Sequence, residues 1–200
     1  MITPISHRAR LIRLTYADSA NGKTIATRWG IIMEDGPAMA ARLGGKLIEE
    51  PGASSEDLDG YSSARTGLFQ YMIGNTDYSL SYLHNYRIVQ TDTSMAYYPM
   101  AYDFDWSGLV NSPYAKPDYR LPVKRVTDRL YRGGCHSPEL LNETLGFFRA
   151  KKDAMYGHLK GIKDLTPERL KEATDYLDEF YKMSSDPGQV NRELRRVCDR

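Results

Sequence analysis

The sequence predicts an α+β domain with an N-terminal β-hairpin and a helical C-terminal third. Three observations carry this. Near the start, apolar residues alternate over residues 10–16, placing Ile12, Leu14 and Tyr16 on one face of an extended segment. A helix-period run over residues 62–73 is followed by two short β-branched and aromatic runs, residues 86–90 and 97–102. The last third holds three helix starts of one kind, Ser137-Pro138, Thr166-Pro167 and Asp186-Pro187, each a capping residue with proline at the first helical position.

Taken in order, Asn21-Gly22 is a turn signal, and residues 24–33 form a second β-branched run. The pair is expected to make an antiparallel hairpin whose connection is longer than the tightest type. Residues 37–43 predict a short Ala-rich helix stopped by Gly44-Gly45. Residues 51–60, rich in Gly, Ser and acids, predict an exposed loop. The helix over residues 62–73 carries Ala64, Leu68, Phe69, Met72 and Ile73 on one broad face, and Gly74 ends it. Pro99 suits an edge strand, because proline donates no ladder hydrogen bond. Residues 106–121, with Pro113 and Pro117, predict an extended loop. Leu141, Leu145, Phe148 and Met155 then continue one helical stripe, and Leu170, Ala173, Leu177, Phe180 and Tyr181 form another. The helix opened by Asp186-Pro187 is expected to end near Cys198. No internal repeat is visible.

A chain of 200 residues can bury a sizeable core, and one domain is expected. The 27 Lys and Arg against 26 Asp and Glu leave a net charge of +1, which argues against a general nucleic-acid binder. No apolar run approaches the length that spans a bilayer, so no membrane span is expected. The 15 tyrosines can pack a core with their polar tips at its edge. No signal-peptide pattern opens the chain, and a strand begins almost at once; this fits either a cytoplasmic protein or one with further sequence upstream. Cys135 and Cys198 lack metal-ligand spacing. They are expected to be free thiols in a cytoplasmic protein and bonded in an exported one.

The chemistry-bearing residues concentrate in two places. Gly74-Asn75-Thr76-Asp77 leaves the helix and runs on to His84-Asn85, and Tyr102-Asp103-Phe104-Asp105 follows the second short strand. If the two strands pair antiparallel, Asn85 enters one where Asp103 leaves the other, with Asp77 beside them. Carboxylate and amide oxygens suit a hard divalent cation, Mg²⁺ or Mn²⁺. A carboxylate to orient a hydroxyl, together with oxygen ligands for Mg²⁺, is the inventory of phosphoryl transfer. The bland alternative for Asp77 is a turn or cap residue. His84 is expected to hydrogen-bond locally rather than bind metal, and Cys135-His136 is too small a set for zinc. Lys124, Arg125, Arg129 and Arg132 form a basic cluster, three of them at helical spacing. It is expected to be a solvated face or a docking surface for an acidic or phosphorylated partner.

Over about residues 10–132 the chain resembles the CotH-type kinases, atypical relatives of the protein-kinase fold. Gly30-Ile31-Ile32-Met33-Glu34 is similar to the strand entering the hinge, Gly74-Asn75-Thr76-Asp77 to the catalytic loop, and Tyr102-Asp103-Phe104-Asp105 to the metal-binding Asp motif. The resemblance implies a kinase-like C-lobe as part of a longer protein. Residues 1–35 would be hairpin and hinge, 36–136 the catalytic-loop region and 137–200 a helical region. It implies Asp77 as the catalytic Asp, Asn85 and Asp103 as metal ligands with Asp105 as a weaker candidate, and backbone near Met33 and Glu34 facing adenine. ATP and Mg²⁺, or Mn²⁺, would be the cofactors, and the phosphoacceptor would be a protein or a small molecule bearing a hydroxyl. Two departures stand out. The interval from Asp77 to Asn85 is longer than in ordinary protein kinases, and no His-Arg pair precedes Asp77. No phosphate-covering loop, phosphate-binding Lys or partner Glu precedes Arg10, so residues 1–200 are expected to be inactive alone on a generic acceptor. A non-catalytic interaction module of the same fold and a metal-dependent phosphoesterase are the alternatives.

Overall fold

The computed structural model describes residue 3, residues 5–92 and residues 95–195. The chain opens with β1 (Ala9–Ala17) and β2 (Thr24–Met33), an antiparallel pair in which Leu11 faces Ile31 and Arg13 faces Trp29. Asp18 closes the connection by accepting from Ala20 N and Asn21 Nδ2, both at 2.8 Å, and Gly22 supplies the left-handed φ of +68°. The expected apolar face finds no core: Leu14 and Tyr16 are exposed, and only Ile12 of β1 is half-buried. These two strands form a sheet of their own.

Helix α1 (Gly36–Arg42) follows, with Asp35 as its N-cap and a proline in its first turn. Gly44, at φ +69°, turns the chain into β3 (Gly45–Ile48), a strand the pattern did not predict. Glycine permits it. A Cβ at Gly45 would stand 2.1 Å from the carbonyl oxygen of Gln90 on the neighbouring strand. The expected loop over residues 51–60 contains one short 3-10 turn, Ser55–Asp57, before α2 (Gly60–Ile73). Asp59 caps α2 by accepting from Ser62 N at 2.8 Å, and Gly74 ends it in the left-handed conformation at φ 64°.

Strands β4 (Tyr86–Thr91) and β5 (Tyr97–Ala101) complete a second antiparallel sheet in the order β3-β4-β5. Pro99 lies on β5, at the sheet edge where a missing N–H costs no ladder bond. Residues 102–137 have no helix or strand and run as an extended connection. Four helices follow: α3 (Pro138–Ala150), α4 (Lys152–Lys160), α5 (Pro167–Ser184) and α6 (Pro187–Val190), the last running into a single π turn, Asn191–Arg195. The single stripe expected to run from Leu141 through Met155 is broken at Lys151, which caps α3 and starts α4. The expected helix end near Cys198 lies outside the described residues.

Helix α2 is the centre of the molecule. Its apolar side packs Leu68, Tyr71 and Met72 with Leu145 and Phe148 of α3 and Leu177 and Phe180 of α5. Burial of each such side chain contributes about 1.5–3 kcal/mol. Its other side meets β5, and there even Ser62, Ser63, Thr66 and Gln70 are buried, so the helix is enclosed on all sides rather than amphipathic. A smaller cluster of Met39, Ala40, Val89 and Met100 joins α1 to the second sheet. The loop that leaves α2 at Gly74 therefore emerges where the sheet meets the helical bundle.

The basic cluster at residues 124–132 is not helical; Lys124, Arg125 and Arg132 are exposed, while Arg129 is drawn inward. Arg125 pairs with Asp128 at 2.8 Å. Arg129 is nearly buried, donates to the Tyr176 carbonyl and pairs with Glu179 at 2.9 Å, so it ties the connection to α5. Cys135 is disulfide-bonded, and the chain's other cysteine, Cys198, lies outside the described residues. Among the described residues no helix is long and apolar enough to cross a membrane.

Candidate functional site

The loop after α2 is held from both sides. Inside, Asn75 is buried; its Nδ2 donates to Gln70 Oε1 at 3.1 Å, and its Oδ1 accepts from Asp77 N at 3.0 Å. Outside, Arg132 Nη1 donates to the carbonyls of Thr76 at 2.5 Å and Tyr78 at 2.9 Å, with its guanidinium 5.0 Å from the centre of the Tyr78 ring. Asp77 lies between these anchors.

The long interval to Asn85 is taken up by a tight turn. Ser79 and His84 exchange backbone hydrogen bonds at 3.0 and 2.9 Å, which folds residues 80–83 back and returns His84 to the acid. His84 Nε2 then sits 3.1 Å from Asp77 Oδ1. Asn85 Nδ2 donates to the Asp77 carbonyl at 2.8 Å and to Asp77 Oδ2 at 3.1 Å. This leaves the Asn85 Oδ1 as the acceptor end of the amide.

Asn85 precedes β4 and Asp103 follows β5, at the same end of the pair. Tyr86 faces Ala101 in register, and Tyr102 N donates to the Asn85 carbonyl at 3.1 Å. Both candidate ligands have left-handed backbone, φ 55° for Asn85 and 57° for Asp103, a conformation that Asn and Asp tolerate better than other non-glycine residues. Asp103 is exposed, yet partial desolvation lifts its carboxyl above its ordinary value, the Asp105 carboxylate and its hydrogen bond add to this, and Asp77 adds less, with His84 opposing. These four groups therefore share one electrostatic neighbourhood. Asp105 is fixed by Tyr114 Oη, which donates to its Oδ2 at 3.1 Å, and by Ser112 Oγ, which donates to its carbonyl at 2.7 Å. The chain is then stitched back to the end of α2, Gly108 N to the Gly74 carbonyl at 3.1 Å and Leu109 N to that of Ile73 at 2.9 Å.

Met33 and Glu34 lie at the root of the hairpin. Glu34 accepts from Arg42 Nη2 at 2.6 Å, Arg42 Nε at 2.7 Å and Arg8 N at 3.1 Å, and the Arg42 hydrogen bonds bring its carboxyl down to about 2. Its side chain is thus a brace between hairpin and α1. Met33, the last residue of β2, is exposed. The root borders the acidic cluster through His7, whose ring meets Tyr102 edge-on at 5.7 Å.

Two positioning residues escaped the sequence analysis. Asn75 reads as ordinary turn chemistry, and its burial is the only mark of its role. Arg132 acts on carbonyls 54 and 56 residues away, a separation no local pattern records. Behind the Asp77 loop lies a cleft of about 390 Å³ lined by Ser63, Thr66, Tyr78, Ser79, Ser81 and Arg132. Thr66 Oγ1 is buried there with no hydrogen-bond partner among the described residues.

Among the described residues, no three His, Cys, Asp or Glu side chains are grouped so as to hold a metal ion. One carboxylate with one amide oxygen is a smaller set than that. It suits a cation that keeps several waters and shares its coordination with phosphates. No protein-family model, no curated protein and no solved structure matches the chain.

Proposed function

We propose that this chain carries the C-lobe half of an ATP- and Mg²⁺-dependent phosphoryl-transfer site of the CotH-kinase type, acting on a hydroxyl. The observation that supports it best is the raised carboxyl of Asp103, crowded by Asp105 and Asp77 beside an Asn85 amide that is already anchored. Such a cluster is short of positive charge, and a divalent cation is the natural complement. Asp103 and the Asn85 Oδ1 would hold Mg²⁺, which when bound neutralises phosphate charge. Asp77 would orient the acceptor hydroxyl and take its proton as the oxygen attacks the γ-phosphorus of ATP and the bond to the bridging oxygen breaks, releasing ADP. His84 and Asn85 fix the two oxygens of Asp77, while Asn75 and Arg132 fix its backbone.

One observation favours a second reading, a non-catalytic binding module of the same fold. Both carboxylate oxygens of Asp77 already have partners, so a base there must give one up. Titrating the protein with Mn²⁺ in the presence of ATP separates the two. The kinase reading expects paramagnetic broadening centred on Asn85 and Asp103 and abolished in Asp103→Asn. Broadening elsewhere, or none, leaves the binding module.

A further inference from the structure

The hairpin of β1 and β2 is apolar on both faces and covered on neither. Side chains alternate across a strand. One face thus carries Leu11 with Ile31 and Arg13 with Trp29, and the other carries Ile12, Leu14 and Tyr16 with Ile32. Leu11 is 59% exposed, Trp29 60%, Ile31 67% and Ile25 71%. Two-stranded hairpins are marginal in water, and among the described residues the sheet has two strands only.

Charge narrows the choice of occupant. Between Arg8 and Met33 the chain holds five basic residues and one acid, a net of +4 in a chain whose total is +1. The single acid, Asp18, is used within its own turn. Arg10, Arg13, Lys23 and Arg28 have no ion-pair partner among the described residues. A second copy would bring two such positive hairpins together, at a cost in repulsion. An anionic bilayer answers the charge and the apolar faces, yet gives no partner to the backbone N–H and C=O groups along the open strand edges. An added strand satisfies all three demands.

We propose that the outer edge of β1 is a docking site for an acidic, apolar β-strand from outside these 200 residues. The β1 edge is chosen because β1 carries Arg10 and Arg13, one on each face, with Arg8 just before it. Side chains of an added strand stand about 4.5–5.5 Å from their neighbours on the same face. Arg10 and Arg13 lie on opposite faces, so acids three apart in the added strand would meet them, with apolar residues beside them flanking Leu11, Ile12 and Leu14.

The test is a titration with a ten-residue peptide of Glu and Val whose Glu residues stand three apart, as Arg10 and Arg13 do, followed by Trp29 emission, with Trp29→Phe to assign the signal. The proposal expects a blue shift, affinity that falls as salt rises, and new amide protection in β1. It expects at least a tenfold loss of affinity in the double variant Arg10→Glu/Arg13→Glu, whose exposed sites leave the fold alone. A Lys-Val peptide and phosphatidylserine vesicles should give no shift. The proposal is overturned if the acidic peptide does not bind, if the Lys-Val peptide binds as well, if the vesicles produce the shift, or if sedimentation shows the hairpin already buried in a dimer.

Discussion

Asp103 carries two opposing demands in one side chain. Partial desolvation and the neighbouring Asp105 hold its carboxyl above the ordinary range, so the folded state takes up a proton there more readily than the unfolded chain. Ionised Asp103 therefore costs stability at neutral pH, and that cost disappears as pH falls through its raised value. Asp105→Asn removes the nearest like charge, and a carboxyl NMR titration should find Asp103 shifted down toward the ordinary Asp range; an unchanged or higher value contradicts the geometry. Asp103→Asn should raise the melting temperature slightly while abolishing Mn²⁺ binding, the trade expected of a ligand site. Asn75 is the complementary case. Its truncation to Ala strands the buried Gln70 Oε1 and releases the Asp77 N–H, at about 1–3 kcal/mol in a denaturant melt. The acids and Asn85 were legible in the sequence because they are turn-forming residues at predicted strand and helix ends. Arg132 was not, since its contacts exist only once the connection has folded over the loop.

At the scale of elements, the caps were visible and the interruptions were not. Ser137, Thr166, Asp186 and Gly74 mark helix ends through local chemistry, and a single sequence displays that chemistry directly. The break at Lys151 is hidden because Leu145, Phe148 and Met155 keep one helical phase across it. Strand β3 is hidden because it is four residues long and begins with glycine. Its dependence on that glycine is testable. In Gly45→Ala the new methyl must displace Gln90 or lift β3 from the sheet, because the Cβ would lie 2.1 Å from backbone oxygen. A loss of about 1–3 kcal/mol is expected, the usual cost of overpacking. Amide protection should fall along the β3–β4 ladder and persist between β4 and β5. Uniform loss of protection would mean that the second sheet unfolds as one unit.

The whole molecule is a sheet and a helical bundle joined through α2, with a long unstructured connection, residues 102–137, passing over both. Such a connection is costly to order, and its contacts are specific: Arg129 to α5, Arg132 to the Asp77 loop, and Gly108 to the end of α2. The disulfide at Cys135 holds its far end just before α3. A cross-link acts mainly by restricting the unfolded chain, and loss of a native one typically costs about 2–4 kcal/mol. Cys135→Ser should therefore lower the unfolding free energy from a denaturant melt by that amount. Mass spectrometry without reductant should recover the Cys135 peptide joined to the Cys198 peptide, since the chain has two cysteines. The arginine anchors predict where the damage spreads. When the far end of the connection loosens, Arg132 loses its hold on Thr76 and Tyr78, so Mn²⁺ affinity at the acidic cluster should fall in Cys135→Ser. If the thiols alkylate readily without denaturant and the midpoint ignores reductant, the connection is held by its side chains alone. A bond of this kind persists in an oxidising compartment, where the exported alternative for this chain places it.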